Sequence, residues 1–388
     1  MKICGVVCEY NPFHLGHEYQ LREAKKRSGA DAIVCVMSEY FTQRGEAAIL
    51  PARVRAKHAV LCGADAVISL PPVFSSSAAE IFARGAIRIL CSLPGFSCLS
   101  FGAEHAESDF YAAAEILNDE RAYMEKAKEF LSRGFSFAAA RGEALKNTAA
   151  YPLLSSPNDI LGLEYARALL KEGKRESVSL LPIPRRGEYK NSALAQCGAA
   201  EFSSASAIRR ALENGDFAAL SADLPACVYE DVKGAKLTSE ALKTAEKIAV
   251  LTAEKSELAR TADVSEGLEN ALKKAAKSQS DVVYALTSRR YPASRVSRIL
   301  LQNLLKIRKE LVFECLTEPL YIKPLAVKKE RKDLLAALSS GAFPCVLRYA
   351  DERRLSGAAK RCFETDKLAE NIYSAVTGFY GGTKEIFY

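Results

Sequence analysis

The chain has 388 residues, 49% of them hydrophobic, and a formal charge of +7 at pH 7. That length can bury a substantial core in two or three domains, and a charge of that size is met by an ordinary solvated basic surface. No apolar run reaches the roughly eighteen residues of a membrane helix, and Met1-Lys2 leads into a strand with no signal-peptide core; neither span nor export is expected, and the cytoplasm is the default compartment. The eleven cysteines are an odd count. Most lie in apolar runs such as AIVCVM and FSCLSF, with no C-x-x-C and no paired Cys/His spacing. They read as reduced core residues, and a zinc site is not expected.

In chain order, KICGVV predicts a buried strand and HEYQLREAKKRSG a helix closing at Gly29. ADAIVCVM is a second buried strand, PARVRAKHAVLCG a helix from Pro51 to Gly63, and ADAVISLPP a third strand. The two joints SGADAIVCVM and CGADAVISLP share one grammar: glycine, Ala-Asp, then an apolar run. IFARGAIRILCS predicts a helix and FSCLSFG a strand; two or three helices follow between Ser108 and Arg141, and NDILGLEYARALLKEG is another. SVSLLPI predicts one more strand and SSASAIRRALENG a helix ending at Gly215. Repeated strand–helix units with fully apolar strands imply an α/β fold, a Rossmann-like parallel sheet covered on both faces. Beyond Val228 the strand signal fades into the helical patterns TSEALKTAEKIAVLTAEKS, EGLENALKKAAKSQ and SRVSRILLQNLLKIRKEL, with a shorter mixed segment from Tyr321. The expected division is a domain over 1–227 followed by a mainly helical, basic one over 228–388.

The stretch EYNPFHLGH stands where the first strand gives way to a helix, the usual ligand position in an open parallel sheet. Gly16 would let a ligand or backbone approach closely. His14 and His17, three apart, can both reach one phosphate and donate hydrogen bonds to oxygens that gain charge. A metal pair and a structural pair are the other readings; no third ligand stands nearby. A second feature lies in RRYPASRVSRILLQNLLKIRK, residues 289–309, which carries seven Lys or Arg and no acid. It is either a polyanion site, with Arg289, Arg290, Arg295 and Arg298 as nucleic-acid contacts, or a helix with one apolar stripe and a solvated basic face.

His14-Leu-Gly-His17 resembles the H-x-G-H signature of the nucleotidylyltransferase superfamily, and SSASAIRR, Ser203 to Arg210, is similar to that superfamily's second motif, with Ala205-Ser206 in place of Ser-Thr. Serines capping a helix, with Arg209 on its next turn, would supply donors and a fixed charge for the β- and γ-phosphates. The match narrows with VMSEYFTQRGEAA, ISLPPVFSSSAAEIFARGAIRIL, FGAE, SPNDILGLEYARAL and LPIPRRGEY. In that order they resemble the tRNA(Met) cytidine acetate ligase family almost end to end.

The resemblance implies an enzyme that uses ATP, with magnesium carried on the nucleotide and no bound metal of its own. It converts acetate to acetyl-AMP and then acetylates N4 of the wobble cytidine of elongator tRNA(Met); neither membrane nor DNA is an expected partner. Carried onto this sequence, the ATP loop runs from Val7 to Gln20 and includes Asn11, His14, Gly16 and His17. Gly102 leaves room for the adenosine, Asn158 is a polar contact and Arg185 a cation. His14 and His17 are expected at the α-phosphate, and Arg209 with Ser203 or Ser204 at the leaving phosphates. Asn11 either orients the loop or is a turn residue before Pro12. Gln43 and Arg44 are placed where acetate or the cytidine could be met.

Glu39-Tyr40 depart from the Gly-Asn usual in the family, and such side chains could alter the acyl or tRNA pocket; LPIPRRGEYKN also lacks the family's longer glycine-containing loop. Two other functions share these motifs: nucleotidyl transfer to a small phosphorylated metabolite, and RNA binding without catalysis. The first leaves the long helical portion without a purpose. The second leaves the two histidines and Arg209 without one.

Overall fold

The computed structural model describes residues 1–135, 137–185, 202–235, 239–265, 267–379 and 385–388. The expectation about the loop after LPIPRR therefore lies outside the described residues. Strand β1 (Ile3–Cys8) is followed by α1 (Leu15–Ser28), β2 (Ala32–Ser38), α2 (Ala52–Leu61) and β3 (Ala66–Leu70). Next come α3 (Pro72–Ser75), α4 (Ala79–Cys91), β4 (Phe96–Ala103), α5 (Phe110–Asn118), α6 (Glu120–Ser132), α7 (Phe137–Leu145), α8 (Pro157–Lys171) and β5 (Ser179–Pro184). The third strand ends at Leu70, short of its expected end, because Pro72 suits a helix start, where a missing N–H costs nothing.

The sheet order is β5-β4-β1-β2-β3-β6, and the first five strands are parallel. Side chains alternate across it as a period of two requires. Ile33, Cys35 and Met37 join a core with Leu21 of α1 and Ala56 of α2. Ala32, Val34 and Val36 join the opposite core with α4, α5 and α8. Both faces are dry, which is why the strands read as unbroken apolar runs.

The second half consists of α9 (Ala205–Glu213), α10 (Phe217–Leu220), α11 (Ala226–Lys233), α12 (Ser239–Thr252), α13 (Lys255–Arg260), α14 (Leu268–Ala276), α15 (Val282–Leu286), α16 (Ala293–Leu304) and α17 (Lys309–Thr317). Strand β6 (Pro324–Val327), α18 (Lys332–Ser339) and α19 (Gly357–Thr377) complete it. Helices α12 to α16 enclose a core of their own around Val250, Leu272, Val296 and Ile299. From Leu305 onward the chain returns to the sheet: Tyr321, Phe363 and Tyr373 join the core of β2 and β3, and β6 adds an antiparallel edge strand beside β3. The core thus crosses the expected boundary at 227/228. Four residues starting on a proline give little periodic signal, and proline is tolerated at the start of an edge strand.

The long helix expected over SRVSRILLQNLLKIRKEL is two, α16 and α17. Lys306 has φ +57; its N–H reaches the Asn303 carbonyl at 3.1 Å, and the Ile307 N–H reaches that of Gln302 at 2.8 Å. This is a Schellman cap with lysine where glycine is usual, so the break leaves no glycine in the sequence. Burial of Ile307 holds it. No helix of the described residues is long and apolar enough to cross a membrane.

Candidate active site

From β1 the order runs one way through β2 and β3 and the other way through β4 and β5, so the topological switch lies between β1 and β4. The crevice outside those strand ends is where open α/β sheets bind ligands. A cavity of about 480 Å³ opens there, within the span of small-molecule sites. Its walls bring together Val7, Asn11, His14, His17, Gln20, Gly102, Asn158, Arg185, Ser204 and Arg209, from segments far apart in sequence. Gln43, Arg44 and Arg298 also line it.

His14 caps the N-terminus of α1. Its Nδ1 accepts from the Gly16 N–H at 3.1 Å, and Nδ1 of His17 accepts from the His14 N–H at 3.3 Å. The rings stack with centroids 3.7 Å apart. Burial, then the Arg185 charge, pushes His14 down to about 3; burial, then His14 and Arg185, holds His17 well below the ordinary value. Both rings are therefore neutral at pH 7. With Nδ1 accepting, the proton resides on Nε2, and each ring presents one N–H donor. A Cβ on Gly16 would meet the His14 ring at 2.9 Å, so the space that glycine leaves is taken by the imidazole. Tyr10, at φ +48, is fixed in the left-handed region by packing on Phe13 and His17, each with its ring centroid at 4.8 Å.

The strand ends are tied together by Arg55, which is fully buried and which the sequence reading missed. Its guanidinium donates to the carbonyls of Leu50 at 2.9 Å and Ser38 at 3.1 Å, and to that of Glu9. Asn11 Oδ1 accepts from Ile49 N–H at 2.9 Å, which makes Asn11 a loop organiser. Its Nδ2 is buried without a partner among the described residues, a donor left for a ligand. Arg209 donates to the Asn11 carbonyl at 2.8 Å and faces Glu46 at 3.8 Å. Ser204 caps α9, accepting from Ala207 N–H at 3.1 Å; Ser203 is buried outside the cavity lining. Glu9 was also missed. Its carboxylate lines the cavity and accepts from the Gln43 N–H at 2.6 Å; burial pushes it up despite that bond and the Arg209 charge. Its place at the head of EYNPFHLGH was the available signal.

Across the cavity, Asp159 Oδ1 accepts from the Glu104 N–H at 2.9 Å, joining β4 to α8, while Asn158 Nδ2 donates to Glu104 Oε1 at 2.7 Å. Arg185 pairs with the same oxygen at 3.7 Å. A Cβ on Gly102 would meet nothing nearer than Arg185 Cγ at 3.5 Å, so the room over this glycine belongs to the cavity.

The basic segment divides. Arg289 and Arg290 are exposed. Arg295 donates to Ser265 Oγ at 2.7 Å and Arg298 pairs with Asp263 at 2.9 Å, both turned in toward the 263–265 loop. Arg298 reaches the cavity because Gly45, at φ +77, lets the 42–48 loop close on α16; a Cβ there would strike the Ser297 carbonyl carbon at 2.6 Å. Glu39 and Tyr40 do not line the cavity. This corrects the expectation that they reshape it: Glu39 is buried against Lys323 at 2.8 and 2.9 Å, and Tyr40 packs on Tyr373.

Neutral N–H donors and guanidinium groups facing one crevice suit a nucleotide whose phosphate gains charge as it reacts. The class so defined is a HIGH nucleotidyl transferase, and the model of that family matches residues 1–384. A tRNA(Met) cytidine acetate ligase of a Thermoanaerobacter species is 34% identical over 387 residues, covering 96% of this chain and 95% of that one. One from Listeria welshimeri is 35% identical over 390 residues, covering 97% and 95%. Thermotoga maritima TmcAL bound with alpha-thio ATP superposes with a TM-score of 0.86 at 28% identity, over 97% and 95% of the two chains. The chain belongs to the tRNA(Met) cytidine acetate ligase family and is a ligase.

Proposed function

We propose that the protein joins acetate to AMP, releasing pyrophosphate from ATP, and passes the acetyl group to N4 of the wobble cytidine of elongator tRNA(Met). The observation that carries this is the neutral His14–His17 pair, its two Nε2–H donors at the switch-point cavity. Acetate is an anion at neutral pH and needs no base. The protein must hold it in line with the α-phosphate and stabilise charge on the phosphate oxygens, tasks of position and electrostatics. His14 and His17 donate to the α-phosphate, and Arg209, with Ser204 and the α9 N-terminus, holds the departing pyrophosphate. Asn11 Nδ2 gives a further donor. Val7, Gln20, Gly102 and Asn158 receive the adenosine, and Arg185 screens the anions. Gly16 and Ser203 support this wall from behind.

Magnesium would arrive on the phosphates and neutralise part of their charge. Among the described residues no group of three or more His, Cys, Asp or Glu is placed to hold a metal ion. Residues 1–227 carry activation, while the helical part within 228–388, with Arg289 and Arg290 outermost, holds the tRNA body in the cytoplasm.

The deciding measurement is pyrophosphate exchange into ATP with and without acetate, followed by mass analysis of nucleosides from treated tRNA. Acetate-dependent exchange together with a cytidine heavier by one acetyl group is the expected result. Exchange that needs a phosphorylated metabolite and ignores acetate would overturn it, as would tRNA binding without ATP turnover.

Gly102→Ala is expected to fold normally, since its Cβ makes only an ordinary contact. It should raise the KM for ATP about tenfold by occupying adenosine space, read by exchange kinetics beside a thermal melt. The histidines also set a pH signature. The unfolded chain takes up protons below about 6.5 that the folded site refuses, so stability falls as pH drops from there toward 3. Each such histidine contributes a slope of up to about 1.4 kcal/mol per pH unit. Urea unfolding at pH 7, 6 and 5 should show a steeper acid loss in wild type than in His14→Asn. The exchange rate should show no inflection near 6.5.

A further inference from the structure

A second cavity, of about 940 Å³, adjoins the first. Arg44, Glu46, Ser206 and Arg209 stand in the walls of both. Its outer wall comes from the helical unit, where Tyr284 lines it with 83% of its surface exposed. That exposure is unusual for a large ring with no core to fill. The Tyr284 N–H is fixed by Asp281 Oδ1 at 3.0 Å, so the exposed side chain stands on an ordered turn. The chain then runs directly into exposed Arg289 and Arg290.

We propose that this second cavity receives the acceptor pyrimidine, extruded from a single-stranded RNA loop, with its face on Tyr284 and its amino edge at the shared wall. The inference rests on the acetate ligase reading and adds the acceptor's seat. Charge and hydrogen-bonding pattern both favour cytosine. Its edge offers N4–H donors beside N3 and O2 acceptors, and the shared wall offers a carboxylate, Glu46, beside the guanidiniums of Arg44 and Arg209. Uracil presents a carbonyl oxygen where cytosine presents the amine, which sets that oxygen against Glu46. Stacking on an exposed tyrosine is how single-stranded bases are held once unstacked, and the two arginines after it suit the phosphates on either side.

The shared wall also brings the amine to the acyl group. N4 attacks the acetyl carbonyl of the mixed anhydride; the C–N bond forms, the carbonyl carbon–oxygen bond to phosphate breaks, and AMP leaves with that electron pair. The amine proton passes to Glu46, the one carboxylate among the described residues that is common to both walls.

The test separates the two half-reactions. Tyr284→Ala should leave acetate-dependent pyrophosphate exchange at the wild-type rate and raise the KM for tRNA roughly ten- to a hundredfold, the range one base–aromatic stack confers. Tyr284→Phe should restore it. Ala293→Trp, which fills the same cavity from α16, should also block transfer and spare exchange. In wild type, a tRNA whose acceptor is changed to uridine keeps its body contacts and its stack but loses the Glu46 contact, so it should compete more weakly than the native tRNA, and equal competition would overturn the assignment of the amino edge. An unchanged KM in Tyr284→Ala, or exchange and transfer falling together in both variants, would overturn the assignment. Absence of acetate-dependent exchange in the wild type is a different result: it removes the functional reading itself, and this inference with it.

Discussion

Replacing His14 or His17 with alanine is expected to lower acetate-dependent pyrophosphate exchange by about 10²- to 10³-fold, the usual loss for one preorganised donor to a developing oxyanion. The expectation follows from protonation state. Burial holds both rings neutral, and each Nδ1 is occupied by a backbone N–H, so the Nε2 protons are the only ones these rings can offer. Because both act on the same phosphate, the double variant should lose less than the product of the single losses.

His14 also caps α1, and removing a cap costs about 1 kcal/mol, so a stability control is needed. Asparagine is that control. It can still accept from the helix N-terminal N–H groups, but its amide sits closer to the backbone than Nε2. His14→Asn should therefore melt near wild type and exchange as slowly as His14→Ala. Rates near wild type in His14→Asn would show that the ring acts only as a cap.

The second large effect is on stability. Lys323→Met is expected to destabilise the fold by about 3–5 kcal/mol, as breaking one partner out of a buried ionic cluster does. Glu39 and Asp366 are each 1% exposed, and Lys323 Nζ lies 2.8 Å from Glu39 Oε1 and 3.5 Å from Asp366 Oδ2. Ser69 donates to Glu39, and Tyr321 donates to Asp366 at 2.6 Å. Burial pulls Lys323 down, but the two carboxylates outweigh it and the ammonium is retained.

Burial pushes Asp366 up to about 7 against the Lys323 attraction. A raised carboxyl contributes stability below its unfolded value that is lost as pH rises through the folded one. Without the lysine, Asp366 loses the attraction that opposes its burial, so the cost of Lys323→Met should be larger at pH 8 than at pH 6. Urea unfolding at those two pH values checks this. Glu39→Gln in the Lys323→Met background should recover part of the loss; no recovery would show that packing, not charge, is what the lysine supplies.

Glu39 shows where sequence reading stops. Against its family it looked like a change in the substrate pocket, because the residue follows a strand that ends at the site. The partners that turn it inward, Lys323 and Asp366, are hundreds of positions away and carry no local mark. Arg55 is the same case: in PARVRAKHAV it reads as one more helix charge, and only the meeting of Glu9, Ser38 and Leu50 gives its guanidinium a buried role. The basic segment was legible as charge but not as direction. Arg295 and Arg298 turn toward Asp263 and Ser265 because α16 packs that face inward.

By itself the sequence determined what short-range rules encode. Unbroken apolar strands between amphipathic helices specified the doubly covered sheet, and the spacing in EYNPFHLGH put two imidazoles at the end of the first strand. SSASAIRR set a capped helix with Arg209 on its next turn, and the order of motifs specified the family. Tertiary structure decided what depends on distant partners: β6 at the sheet edge, the split at Lys306, the inward course of Glu39, and the second cavity beside the first. A four-residue strand, a lysine in a glycine's place and a buried ion cluster are each unfavourable or indifferent alone. Only the packing of remote segments makes them the lowest free-energy choice.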